Sequence, residues 1–128
     1  MRYIPLANLK NTTGIVATCK EAKEPVVANK NGDPKLVLMS REVYETQMGM
    51  VTDDAYVNMW RDVELVAEPV LIRTFNNPAE MVRICEAVKG QIVPVLRNGV
   101  DELYVMTYET YRLQKDYLRQ RLSNFQRQ

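Results

Sequence analysis

The stretch KNGDPKLVLMSREVY, residues 30–44, returns as RNGVDELYVMTYETY at residues 97–111, and this doubling constrains the fold more than any other feature of the chain. Asn31-Gly32, Leu36, Leu38-Met39, Ser40, Glu42 and Tyr44 match Asn98-Gly99, Leu103, Val105-Met106, Thr107, Glu109 and Tyr111 at one constant offset. A motif written twice at fixed spacing is an internal repeat, so the chain must fold as two similar units that bury their apolar faces together. Each copy encodes a turn, a strand and a helix start. Asn-Gly tolerates the positive φ of a tight hairpin turn. The apolar run after it suits a buried strand. Ser40 and Thr107 then stand at N-cap positions, with Glu42 and Glu109 near the positive end of the helix dipole that follows.

The segments upstream of the two turns also correspond. Arg2 to Leu6 reads as a short strand that Pro5 assigns to an edge or a strand end. Asn8, Asn11, Thr12 and Thr13 supply caps for one or two helical turns. Ile15, Thr18, Cys19 and Ala22 recur with helical spacing and mark a buried face, while Lys20, Glu21 and Lys23 take the wet side. Glu24-Pro25 stops that helix, and Val26 to Ala28 begins a second strand. In the second copy Asn77 caps, Pro78 suits the first helical position and Glu80 completes a capping box. Met81, Ile84, Cys85 and Val88 carry the apolar face, and Gly90 ends the helix. Asn77 aligns with Asn11 and Cys85 with Cys19, one residue out of step with the hairpins, so the second copy holds an extra residue near Gly90-Gln91. Pro94 has no N–H to donate, which makes its strand less regular or places it at an edge.

Composition removes several function classes. The chain has 128 residues, 46% of them hydrophobic, and a formal net charge of +1, values of a folded chain without global attraction to nucleic acid. Any DNA site must therefore arise from local clustering of basic groups. With no histidine and two cysteines, the chain lacks the ligands of a zinc centre and the imidazole of a Ser-His-Asp or Cys-His site. No enzyme, metal or cofactor is expected. Cys19 and Cys85, on apolar faces, read as small buried hydrophobes, and Met39 and Met106 as core. No apolar run has membrane-spanning length and no signal-peptide core is evident, so the expected location is cytoplasmic.

A basic residue, Asn-Gly, an apolar strand ending in Met, then Ser/Thr, Glu and Tyr resembles the Phd/YefM antitoxin family. KNGDPKLVLMSREVYE is a close match and RNGVDELYVMTYETYR a looser one, and IPLANLKNTTGIVATCKEAKEPVVANKNG is similar to the family's N-terminal half. The resemblance implies a DNA-binding autorepressor that neutralises a RelE/ParE-like or Doc-like toxin. It implies DNA contacts from the N-terminal helix region and the hairpin, here Lys10, Asn11, Thr12 and Lys30 in the first copy and Asn76, Asn77 and Arg97 in the second, where Arg73 lies nearby as a further DNA-binding candidate. Asn29 and Leu96 stand where many relatives carry Thr, and nothing basic matches Lys10 in the second copy. The expected partners are double-stranded operator DNA, a cognate toxin, the other repeat of the same chain and a second copy of the chain.

The expected fold is α+β: two Phd/YefM-like repeats forming one pseudo-symmetric, mostly antiparallel sheet with flanking helices and a long C-terminal helix. Residues 1–50 form the first repeat, 51–69 a linker helix with Ala55, Met59, Val63 and Val66 on one side, and 70–128 the second repeat. Trp60 is read either as a linker residue packed into the core or as part of a toxin-binding strip. Tyr111, Leu118 and Phe125 form a heptad-like seam on a basic C-terminal helix, packing against the other copy or a second chain. The family's toxin-binding tails tend to be longer and more acidic. A rival reading is a protein-binding inhibitor that kept the scaffold and lost DNA affinity.

Overall fold

A computed structural model describes residues 1–48 and 66–116 of the chain. Its architecture is mixed α/β, an open six-stranded sheet with helices on both faces. In chain order the first half supplies β1 (Arg2–Pro5), a 3-10 turn (Leu6–Lys10), α1 (Thr12–Ala22), β2 (Val26–Lys30), β3 (Asp33–Ser40) and α2 (Arg41–Met48). The second half repeats that order with β4 (Val70–Leu71), a 3-10 turn (Ile72–Asn76), α3 (Pro78–Ala87), β5 (Val93–Arg97) and β6 (Val100–Thr107). A further helix, α4, begins at residue 108 and is followed to 116. The long C-terminal helix was expected to run beyond that point, outside the described residues.

Local signals behave as the sequence predicts. Asn31 and Asn98 take φ of 52° and 53°, and Gly32 and Gly99 follow at 83° and 77°, so both turns occupy the left-handed region that Asn-Gly tolerates. Ser40 Oγ accepts the Val43 N–H at 3.1 Å, and Thr107 Oγ1 accepts the Thr110 N–H at 3.0 Å. Asn11 and Asn77 cap α1 and α3 through their side-chain oxygens, accepting from Gly14 N and Glu80 N. The capping box is the exception: the Glu80 carboxylate pairs with Arg83 instead of reaching back, and the Asn77 N–H donates to Thr74 O at 3.1 Å.

The strand order is β1-β2-β3-β6-β5-β4, which reads the same from either edge when the halves are exchanged. Three pairings are antiparallel, and the outer strands β1 and β4 lie parallel to β2 and β5. At the centre β3 meets β6 with Leu38 opposite Val105, Leu36 opposite Thr107 and Ser40 opposite Leu103. Leu38 and Val105 are equivalent positions of the repeat, so an approximate two-fold axis passes between them, as in an isologous dimer. Even the bulges correspond, between Ala28 and Asn29 in one hairpin and between Val95 and Leu96 in the other.

Strand alternation divides the core in two. Val26, Ala28, Leu36 and Leu38, with Val93, Val95, Leu103 and Val105, face α1, α3 and the 3-10 turns, burying Leu9, Cys19, Phe75, Met81 and Cys85. Val27, Val37, Met39 and Met106 face the other way, against Val43, Ile92 and Tyr111. The halves also exchange contacts: α1 packs on the second half's 3-10 turn, α3 on the first half's, and the two turns on each other. Neither half has a complete core of its own.

Of the two alternatives for the Pro94 strand, the less regular one is found: β5 lies between β6 and β4, with Pro94 buried opposite Tyr104 and a register shift between Val95 and Leu96. The missing N–H coincides with a gap on the β4 side, between the Val66–Ile92 bridge and the Val70–Val95 pair, and β4 is correspondingly short. Val66 belongs to no linker helix: it forms that parallel bridge, and the next residue's N–H donates to Ile92 O at 2.8 Å. Residues 67–69 are likewise not helical.

Candidate nucleic-acid interface

The 3-10 turn of each half ends beside the start of the other half's helix, because the turns pack across the pseudo-two-fold axis. On the first-half side this leaves an open cleft of about 630 Å³. It is lined by Lys10, Asn29, Lys30 and Asn31 from the first half and by Asn76 and Asn77 from the second, on a floor of Pro5, Leu6, Pro78 and Ala79. A smaller adjoining recess adds Asp33, Lys35 and Val82 around Lys30 and Asn31. Four of the eight predicted DNA-contacting residues, Lys10, Lys30, Asn76 and Asn77, thus meet at one site although they come from distant parts of the chain.

Lys10 and Lys30 are exposed at the ends of a 3-10 turn and of β2. Asn77 lies at the N-terminus of α3, where unpaired backbone N–H groups and the helix dipole favour negative charge. Asn29 is half-buried, and its Oδ1 is covered without a hydrogen-bond partner among the described residues. Asp33 lines the recess beside Lys30 and Lys35 but forms no ion pair with either. Among the described residues, Lys10, Lys30, Lys35, Arg73 and Arg97 form no ion pair, whereas Lys20, Arg41, Arg83 and Lys89 each hold a glutamate. Such an arrangement holds an anion by charge and by amide donors; the described residues include no cluster of three metal-ligating side chains.

The remaining predicted residues lie elsewhere. Asn11 caps α1 and Thr12 opens it, half-buried. Arg73 is exposed in the second 3-10 turn, and Arg97, half-buried, ends β5. Because β3 and β6 are antiparallel, the two Asn-Gly turns leave the sheet at opposite ends, and the cleft lies at the first of them. Asp33 and Val100, which start β3 and β6, each lie about five residues from the Leu38–Val105 pair. At ~3.4 Å per residue the two starts are roughly 34 Å apart along the strands.

Tyr111, expected on a partner-binding seam, is 2% exposed in the second core, with the Lys115 ammonium 5.4 Å from its ring centroid. It therefore packs within its own chain. Trp60, Leu118 and Phe125 lie outside the described residues. Lys35 was missed by sequence reasoning; its position in the same hairpin as Lys30 was the available signal. The apolar floor carried no signal of its own.

Comparison with protein-family models, curated proteins and solved structures finds no match to this chain.

Proposed function

We propose that this chain is an antitoxin-type, DNA-binding transcriptional repressor built from two Phd/YefM-like repeats. The single observation that carries the reading is the cleft in which Lys10 and Lys30 meet Asn76 and Asn77 across the pseudo-two-fold axis, with no acidic ion-pair partner among the described residues. Lysines hold backbone phosphates, and Asn side chains donate to phosphate or to base edges. The spacing of the turns, roughly 34 Å, is close to one turn of B-form duplex, so both ends of the sheet meet the same side of one DNA segment. The mechanism is stoichiometric: occupancy of the operator blocks transcription, and a toxin bound to the same chain acts as co-repressor.

The test is a binding titration of the chain on the DNA upstream of its own gene at two salt concentrations. Phosphate contacts release counterions, so affinity falls steeply with salt. Replacing Lys30 and Arg97 together by Ala is expected to weaken binding and to flatten the salt slope by about 2, roughly one for each lost contact. Absence of binding at low salt, with and without a co-expressed toxin, rejects the repressor. The near-neutral net charge and the apolar Leu96 beside the second turn then favour the protein-binding inhibitor.

A further inference from the structure

The pseudo-two-fold axis relates positions that carry different chemistry. Lys30 at the first turn corresponds to Arg97 at the second, and the backbone around them is the same down to the bulge that precedes each. Ala7, which lines the first cleft, corresponds to Arg73, on the 3-10 turn against which β5 packs. Lys35 corresponds to Glu102, whose carboxylate is held by Lys20 at 2.8 Å. Around the first turn the cations without an ion pair among the described residues are therefore Lys10, Lys30 and Lys35, and around the second they are Arg73 and Arg97.

These cations recognise DNA differently. A lysine ammonium is a compact point charge that satisfies a phosphate oxygen without regard to sequence. An arginine guanidinium is planar and matches the O6 and N7 acceptors of guanine with two parallel N–H donors. In a homodimer both ends would carry the same residues and favour a target with two-fold symmetry. Here one chain supplies both ends, and they differ.

We infer that the chain reads a duplex lacking two-fold symmetry, with the lysine end anchoring phosphates and Arg73 and Arg97 at the other end selecting guanine. This rests on the DNA-binding reading and adds the class of target to it. One chain occupies one site, and sequence information is concentrated in one half of it.

The experiment is selection of the full chain on a pool of duplexes with a randomised central segment, followed by affinity measurements on the selected duplex. The expected product has guanines fixed in one half and loose preference in the other, bound by one chain per duplex. The R73K/R97K variant keeps the charge and is expected to lose guanine discrimination by on the order of tenfold to a hundredfold while its salt slope stays unchanged. The K10A/K30A variant is expected to bind all duplexes more weakly, with a salt slope lower by about 2 and the same selected sequence. A palindromic product, two chains per duplex, or binding without sequence preference overturns the inference and leaves DNA binding standing. So does an R73K/R97K variant that keeps full guanine discrimination. Failure of the wild-type chain to retain any duplex at low salt overturns the inference and the DNA-binding reading together.

Discussion

At the scale of single residues, Cys19 and Cys85 show how burial sets chemistry. Both are free thiols in equivalent helices, at 0% and 1% exposure, and burial pushes each up to about 12 from 9.0. The neighbouring charges act in opposite directions, Arg2 lowering Cys19 slightly and Glu86 raising Cys85, and desolvation outweighs both. The folded protein thus retains two protons that an unfolded chain releases near pH 9. A group whose folded pKa is raised contributes fully below its unfolded value and loses that contribution as pH rises toward the folded one. Stability is expected to be level up to about pH 8 and to fall by on the order of 2–3 kcal/mol by pH 10 from these two groups. Urea denaturation at pH 8 and pH 10 measures this, and Cys19→Ala/Cys85→Ala should show a smaller drop between the two. Tyr104, also raised by burial and then by Asp101, pulls the same way at higher pH. Neither thiol should react with a disulfide reagent until the protein unfolds.

At the scale of elements, the two halves differ most where the second carries its extra residue. Gly90 has φ of 93°, a conformation that costs a residue with a Cβ, and its N–H donates to Thr110 Oγ1 at 2.9 Å. Gln114 Nε2 donates to the Gly90 carbonyl at 3.3 Å, and the Thr107 hydroxyl donates to Thr110 Oγ1 at 2.7 Å. The α3–β5 connection is therefore held by α4, through a threonine with no solvent exposure. In the first half the equivalent of Thr110 is Val43, which only packs. Thr110→Val keeps the shape and strands the Gly90 N–H, so it should cost about 1–3 kcal/mol in denaturant unfolding. A loss below about 0.5 kcal/mol would mean that water replaces the hydroxyl there.

At the scale of the molecule, the contacts between halves decide which copy pairs with which. Lys20 on α1 reaches across to Glu102 on β6, and the pseudo-equivalent positions carry the reverse charges, Glu86 and Lys35. A first half paired with itself would set Lys20 against Lys35, and a second half paired with itself would set Glu86 against Glu102. Like charges in place of the Lys20–Glu102 pair, and of the opposite charges at Glu86 and Lys35, disfavour self-pairing, a form of specificity by repulsion. A double-mutant cycle on Lys20→Ala and Glu102→Ala should return a coupling of about 0.2–1 kcal/mol, because Lys20 is largely solvated. Tethering makes the pairing intramolecular, so the melting temperature should not move over a hundredfold dilution. A midpoint that falls on dilution would show that the halves pair between chains.

Much of this protein follows from its sequence, and the parts that do are local. The Asn-Gly turns, the Ser40, Thr107, Asn11 and Asn77 caps and the buried thiols each depend on residues within a few positions of one another. The duplication was visible because it repeats those local signals in the same order, at one offset through the turns and strands and one residue less through the helices before them. Tertiary structure alone decided which strands meet. Alternation along β3 and β6 says which side chains face a core, and it is satisfied equally by several neighbours and registers. The antiparallel register centred on Leu38 and Val105 sends the turns to opposite ends of the sheet, and it sets each helix on the other half's 3-10 turn. From that follow the meeting of Lys10 and Lys30 with Asn76 and Asn77, the interior place of β5 despite Pro94, and the burial of Tyr111. Contacts between residues far apart in sequence are selected by the area they bury together and the polar groups they jointly satisfy, quantities that no single segment contains.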